Sequence, residues 1–106
     1  MKMKQTDYEG LKAHITNKSQ PLVVDLHAPW CGYCVRMQPD IDRLASEREG
    51  SLNFVGLDTD EYPDVFTDLK VRTLPTVILF KDGVEVARRG SGTYQDLCAW
   101  LSEHGL

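Results

Sequence analysis

Three short apolar runs constrain this chain more than any other feature, because the segments that separate them differ in kind. The runs are Leu22-Val23-Val24-Asp25-Leu26, Leu52-Asn53-Phe54-Val55-Gly56-Leu57 and Thr76-Val77-Ile78-Leu79-Phe80. Their length and β-branched content read as strands, and the first looks buried on both faces. Between the first two, Cys34, Met37, Ile41, Leu44 and Ala45 recur at helical spacing to about Arg48, with Pro39 inside and Glu49-Gly50-Ser51 as the stop. Pro39 cannot donate to the carbonyl of Val35, so a kink is expected there. Between the second and third, Asp60 to Leu69 reads as a short helix with Pro63 in its first turn and Val65, Phe66 and Leu69 facing inward. Strands joined through helices imply right-handed parallel crossovers. The third run instead meets Lys81-Asp82-Gly83 and then Val84-Glu85-Val86-Ala87, the pattern of a hairpin. The expected architecture is therefore α/β: a mixed central sheet with helices on both faces.

The ends add one helix each. Thr6 and Glu9 have capping-box spacing, and Tyr8, Leu11 and Ile15 share a face, which predicts a helix over residues 7–17. Thr93 and Asp96 repeat the signal ahead of Tyr94, Leu97, Cys98 and Leu101, and Gly105 stops that helix. At 106 residues the chain suits a single domain, residues 1–106, that buries roughly two thirds of its unfolded surface. A net charge of −4, with no basic cluster longer than Arg88-Arg89, gives nucleic acid no footprint. No run approaches the ~18 apolar residues of a spanning helix, so a membrane is not expected. The first residues lack the apolar segment of a secretory signal, and the expected location is the cytoplasm.

Two of the three cysteines stand three apart in Ala28-Pro29-Trp30-Cys31-Gly32-Tyr33-Cys34, at the start of the second predicted helix. Residues so spaced on a helix have Cα atoms about 5 Å apart, within disulfide reach. Unpaired backbone N–H groups and the positive dipole end at a helix start favour a thiolate at Cys31, whereas Cys34, one turn in, keeps its proton. Cys31 would then attack a substrate disulfide and Cys34 would resolve the mixed disulfide. The pair could instead be half of a zinc site completed by Cys98 with His14, His27 or His104, but a second Cys-x-x-Cys is missing. A purely structural bond closing so short a loop would constrain the unfolded chain little. Cys98 itself lies in an apolar stripe and reads as a packing residue. Asp25 is the one acidic residue inside its strand; burial would raise its pKa and suit it to take a proton from Cys34, unless it reaches solvent at the strand end. Leu74-Pro75, ahead of the third run, reads as an extended or turn dipeptide that could be cis.

With Val24-Asp25-Leu26, Trp30-Cys31-Gly32-Tyr33-Cys34, Pro39, Val71-Arg72-Thr73-Leu74-Pro75-Thr76, Phe80-Lys81-Asp82-Gly83 and Gly90 in place, the chain resembles the thioredoxin family nearly from end to end. The resemblance implies the thioredoxin fold, a central mixed sheet of four or five strands flanked by four helices. It implies Cys31 as the exposed nucleophile, Cys34 as the resolving cysteine, Asp25 as the buried proton-transfer carboxylate and Pro75 as a cis-proline facing the disulfide. It also implies a substrate groove of Trp30, Gly32, Tyr33, Leu74, Pro75, Gly90 and Ser91 that adds an extended segment by main-chain pairing. Expected partners are disulfide-containing proteins and a thioredoxin reductase supplying electrons from NADPH; no bound cofactor or metal is implied, and a monomer is expected. The runners-up are an oxidase or isomerase of the protein disulfide isomerase type, and a redox-responsive binding module.

Several residues depart from the family pattern. Tyr33 replaces the usual proline and restores a backbone N–H near Cys31, which favours the thiolate and predicts a less reducing couple. His27 stands where an aromatic residue is common, either packing or acting as a titrating neighbour of Cys31, and Pro29 where an acidic or small one is. Gly56 stands where a lysine often lies near the buried carboxylate, so Asp25 should titrate higher than with that cation beside it.

Overall fold

The computed structural model describes residues 3–106. Its strands are β1 (Lys4–Gln5), β2 (Leu22–His27), β3 (Asn53–Asp58), β4 (Thr76–Lys81) and β5 (Val84–Arg89), and its helices are α1 (Tyr8–Thr16), α2 (Gly32–Glu47), α3 (Val65–Asp68) and α4 (Tyr94–Glu103). The sheet order is β1-β3-β2-β4-β5. β3 runs parallel to both β1 and β2, while β4 is antiparallel to β2 and β5. The sheet is mixed as expected, but β4 departs from the parallel-crossover rule: it is joined to β3 through α3 and yet runs antiparallel to β2, because a helix of four residues is too short to carry the chain back to the far end of the sheet.

Local sequence accounts for most boundaries. Asp82 and Gly83 both take positive φ, 53° and 78°, as a two-residue hairpin turn matched to strand twist requires. Thr93 and Asp96 form the expected capping box at α4. At α1 the cap is Asp7 rather than Thr6: its carboxylate accepts from Gly10 N at 2.7 Å, while Thr6 N donates to Gly56 O and belongs to the edge of the sheet. α3 is also shorter than expected, four residues with Pro63 outside it, because turns through residues 59–64 occupy the rest of that segment. α2 runs unbroken past Pro39. β1 has no signature in the sequence, since two residues carry no periodicity.

Alternation along the strands sorts the interior into two layers. Leu22, Val24, Leu26, Val55, Leu57, Ile78 and Phe80 pack with Leu11 of α1 and Val65 of α3. Val23, Phe54, Val77 and Leu79 pack with Met37, Ile41 and Leu44 of α2 and Leu97, Trp100 and Leu101 of α4. Cys98 is partly buried against this second layer, as a packing residue would be. Asp25, between Val23 and His27, points to the second layer as well, so the one buried carboxylate of β2 lies under α2. No described helix is long and apolar enough to cross a membrane.

Candidate active site

The loop after β2 delivers the cysteines to the start of α2. Cys31 is the N-cap of that helix, in extended conformation, and its Sγ accepts from Cys34 N at 3.2 Å. The pair is disulfide-bonded with a Cα–Cα distance of 5.2 Å, one helical turn. α2 is also set apart from α1 and α4 by its charge. Those helices carry Glu9 and Asp96 in their first turns, whereas the first turn of α2 holds no acidic residue. The positive end of a 16-residue helix is thus left for the sulfur of Cys31.

Two expectations about this pair change. Cys31 and Cys34 are 5% and 4% exposed, so in the disulfide state the nucleophile candidate is as buried as its partner. The N–H that reaches Cys31 Sγ belongs to Cys34; the Tyr33 N–H forms no such bond among the described residues. Tyr33 instead presents a 62% exposed ring, over which the Arg36 guanidinium lies at 4.6 Å from the centroid. The guanidinium folds back over Gly32, with Nη1 3.5 Å from where a Cβ would stand. A cation is thereby held beside the cysteine loop.

The Leu74–Pro75 bond is cis. Leu74 packs against Ala28, Cys31 and Cys34, which brings the segment before the proline onto the disulfide. Thr76 Oγ1 donates to Thr73 O at 2.6 Å and ties that segment to the head of β4. A side chain at Gly90 would approach the Pro75 carbonyl, so Gly90 lies beside the proline. Ser91 lines a shallow depression with Tyr33 and Arg36. Trp30, 68% exposed, is held by a hydrogen bond from its Nε1 to Asp60 Oδ1 at 2.9 Å. Sequence reasoning misses Asp60 as a site residue, because nothing within its own turn marks it as the partner of an indole far away in sequence.

Asp25 is 1% exposed, and its Oδ1 has no hydrogen-bond partner. Burial, reinforced by the negative charge of Asp42, pushes its carboxyl up to about 7. Gly56, in register beside it on β3, brings no cation. A carboxyl poised near neutrality can accept a proton and later release it. His27 sits half-buried at the end of β2, with Nε2 2.7 Å from Gln5 Oε1, and burial lowers its pKa. Among the described residues no three His, Cys, Asp or Glu side chains group as metal ligands.

A thioredoxin family profile matches residues 2–103. The chain belongs to the thioredoxin family. Thioredoxin of Pyropia yezoensis is 35% identical over 86 residues, which cover 81% of this chain and 80% of that protein. Thioredoxin 1 of a Nostoc species is 37% identical over 71% of this chain and 70% of its own length. The oxidised form of mitochondrial thioredoxin 3 from Saccharomyces cerevisiae superposes with a TM-score of 0.83 at 27% identity, covering 95% of this chain and 94% of that one. Family and cysteine geometry together make this thioredoxin-family protein a dithiol–disulfide oxidoreductase acting on protein disulfides.

Proposed function

We propose that the protein works as a reductase of protein disulfides, with Cys31 attacking, Cys34 resolving and Asp25 carrying the proton. The observation that carries this reading is the Cys34 N–H donated to Cys31 Sγ at the uncompensated positive end of α2. That arrangement stabilises a thiolate on Cys31. The Cys31 thiolate attacks one sulfur of the substrate disulfide, a mixed disulfide forms, and the other substrate sulfur leaves as a thiolate that takes a proton from water. Asp25 then removes the proton of Cys34, whose sulfur attacks Cys31 Sγ. The mixed disulfide breaks, the second substrate sulfur departs as a thiolate that takes a proton from water, Asp25 later gives up the Cys34 proton to solvent, and two electrons have passed from the dithiol to the substrate.

Trp30, Gly32, Tyr33, Leu74, Pro75, Gly90 and Ser91 form the substrate groove in this reading. Main-chain pairing beside Leu74 supplies affinity with loose side-chain selection. The protein is recharged by NADPH through a thioredoxin reductase and acts as a monomer in the cytoplasm, which sedimentation and cell fractionation would check. The primary test is reduction of a protein disulfide such as insulin, driven by NADPH and a thioredoxin reductase. Cys31→Ser should reduce turnover to background, and Cys34→Ser should accumulate the mixed disulfide. Retention of turnover by Cys31→Ser would exclude the scheme. The oxidase reading would gain if the couple proved about 60 mV or more above thioredoxin's roughly −270 mV.

A further inference from the structure

Asp25 is buried and cannot exchange a proton with bulk water directly, yet each cycle requires it to load and unload one. The register of the sheet points to a group that eases the unloading by favouring the charged form. Asp25 is aligned with Gly56 of β3, and Gly56 with Gln5 of β1. The side chains at these positions point to the α2 side of the sheet. At Gly56 there is none, and the Gln5 carboxamide occupies the space: its Nε2 and Oε1 lie 2.5 and 2.7 Å from where a Cβ would stand. Gln5 Oε1 is paired with His27 Nε2 at 2.7 Å. Since an amide oxygen only accepts, Nε2 of His27 carries the proton, and the amide N–H₂ of Gln5 is left as a free donor. Among the described residues that N–H₂ has no acceptor, and across one strand spacing, roughly 4.8 Å, stands the unpartnered Oδ1 of Asp25.

We propose that Gln5 is a positioning residue for Asp25: its carboxamide, oriented by His27 and admitted by the missing side chain at Gly56, offers the buried carboxylate a hydrogen-bond donor that favours its charged form. A gap of that size is one that a single bridging water would close. On the outer side, Gln5 and His27 line an open cleft of about 340 Å³ with Asp58 and Tyr62. The charge that acts on Asp25 is Asp42 of α2, and His27 stands farther along β2 with Asp58 beside it on β3. From β4 Asp25 meets Val77, which is apolar. Gln5 thus brings a polar donor to the carboxylate from β1, and Gly56 lets it through. The inference rests on the reading of Asp25 as the proton acceptor of Cys34.

Gln5 is exposed on an edge strand, so Gln5→Leu keeps the backbone pairing and removes only the amide. Gly56→Ala places a Cβ where the Gln5 amide now lies and should displace it. Carboxyl-resolved NMR titration of the oxidised protein, in which neither active-site cysteine titrates, should show the Asp25 midpoint about one pH unit higher in both variants, because a donor to the charged form is lost. In stopped-flow reaction of the reduced protein with Ellman's disulfide, the second release of thionitrobenzoate reports attack by Cys34. At pH 6 that phase should slow about tenfold in both variants, following the lost fraction of ionised Asp25. Asp25→Asn is the control: with no carboxylate to take the Cys34 proton, this phase should slow at pH 6 at least as much as in the two variants. If Asp25→Asn slows this phase while Gln5→Leu and Gly56→Ala leave midpoint and rate at the parent values, the role of Gln5 is overturned and that of Asp25 stands. If Asp25→Asn leaves the rate of this phase at the parent value, the reading of Asp25 falls and takes this inference with it.

Discussion

The two faces of β2 use the same backbone for different ends. One face presents Leu22, Val24 and Leu26, all buried in an apolar layer with Leu11, Val65 and Ile78. The other presents Val23, then Asp25, then His27, passing within five residues from the core under α2 to a partly exposed imidazole at the strand end. The first face holds the sheet to α1 and α3 through burial worth about 1.5–3 kcal/mol for each such side chain. The second gives up part of that stabilisation to place a carboxyl beneath the cysteine-bearing helix. Stability and chemistry are thus segregated by the alternation of a single strand. This segregation explains how the site can tolerate an unpartnered acid 1% exposed to solvent.

Leu26→Ala tests the apolar face most severely. It should cost about 2–5 kcal/mol in denaturant unfolding while leaving kcat/KM per folded molecule near the parent value. A loss of activity at full folding would show that the faces are not independent. Asp25→Asn tests the other face in the opposite direction. Between pH 4 and about 7 the unfolded chain has released the proton that folded Asp25 retains, so the parent loses stability as pH rises through this window. Each pH unit is ~1.36 kcal/mol, so the substitution should stabilise the fold by on the order of 2–4 kcal/mol at pH 8 and by nothing at pH 3.5. Parallel pH–stability curves for parent and variant would contradict this.

Tyr33→Pro, at the rim of the chemical face, should make the couple more reducing by about 30 mV in equilibrium with glutathione. The cause differs from the one the sequence suggests: the Tyr33 ring holds the Arg36 cation over Gly32, and without the ring that support for the Cys31 thiolate is lost. Arg36→Gln should move the potential the same way. The smallest effect is expected for Asp60→Ala, which frees the Trp30 indole from its hydrogen bond. It should raise KM for a protein disulfide about two- to fivefold, since a neutral hydrogen bond contributes about 0.5–1.5 kcal/mol, and leave unfolding midpoints within error.

Features set by a few neighbouring residues are legible in the sequence. The hairpin at Asp82-Gly83, the capping box of Thr93 and Asp96, and a dithiol one helical turn apart all depend on backbone geometry over four residues or fewer. The parallel pairing of β2 with β3 and the hairpin of β4 with β5 follow from a long helix in one connection and a two-residue turn in the other, whereas the direction of β4 after the short α3 does not. Where local signals mislead, tertiary contacts override them. Thr6 loses its cap to Asp7 because its N–H is engaged by Gly56 O, and α3 shrinks to the four residues beginning at Val65, which is fully buried.

By itself, then, the sequence determined the elements, their connection and the presence of a redox-active pair on the second helix. Only the tertiary structure decided what surrounds that pair. Leu74 reaches it through a cis bond from the head of another strand, and Trp30 finds Asp60 30 residues away. The Gln5 carboxamide meets His27 over a glycine, from 22 residues earlier in the chain. The physical reason is range. Dihedral preferences and capping bonds act within a turn or two of the chain, whereas the burial, charge and hydrogen bonds that tune a thiol or a carboxyl come from residues that only the completed sheet brings together.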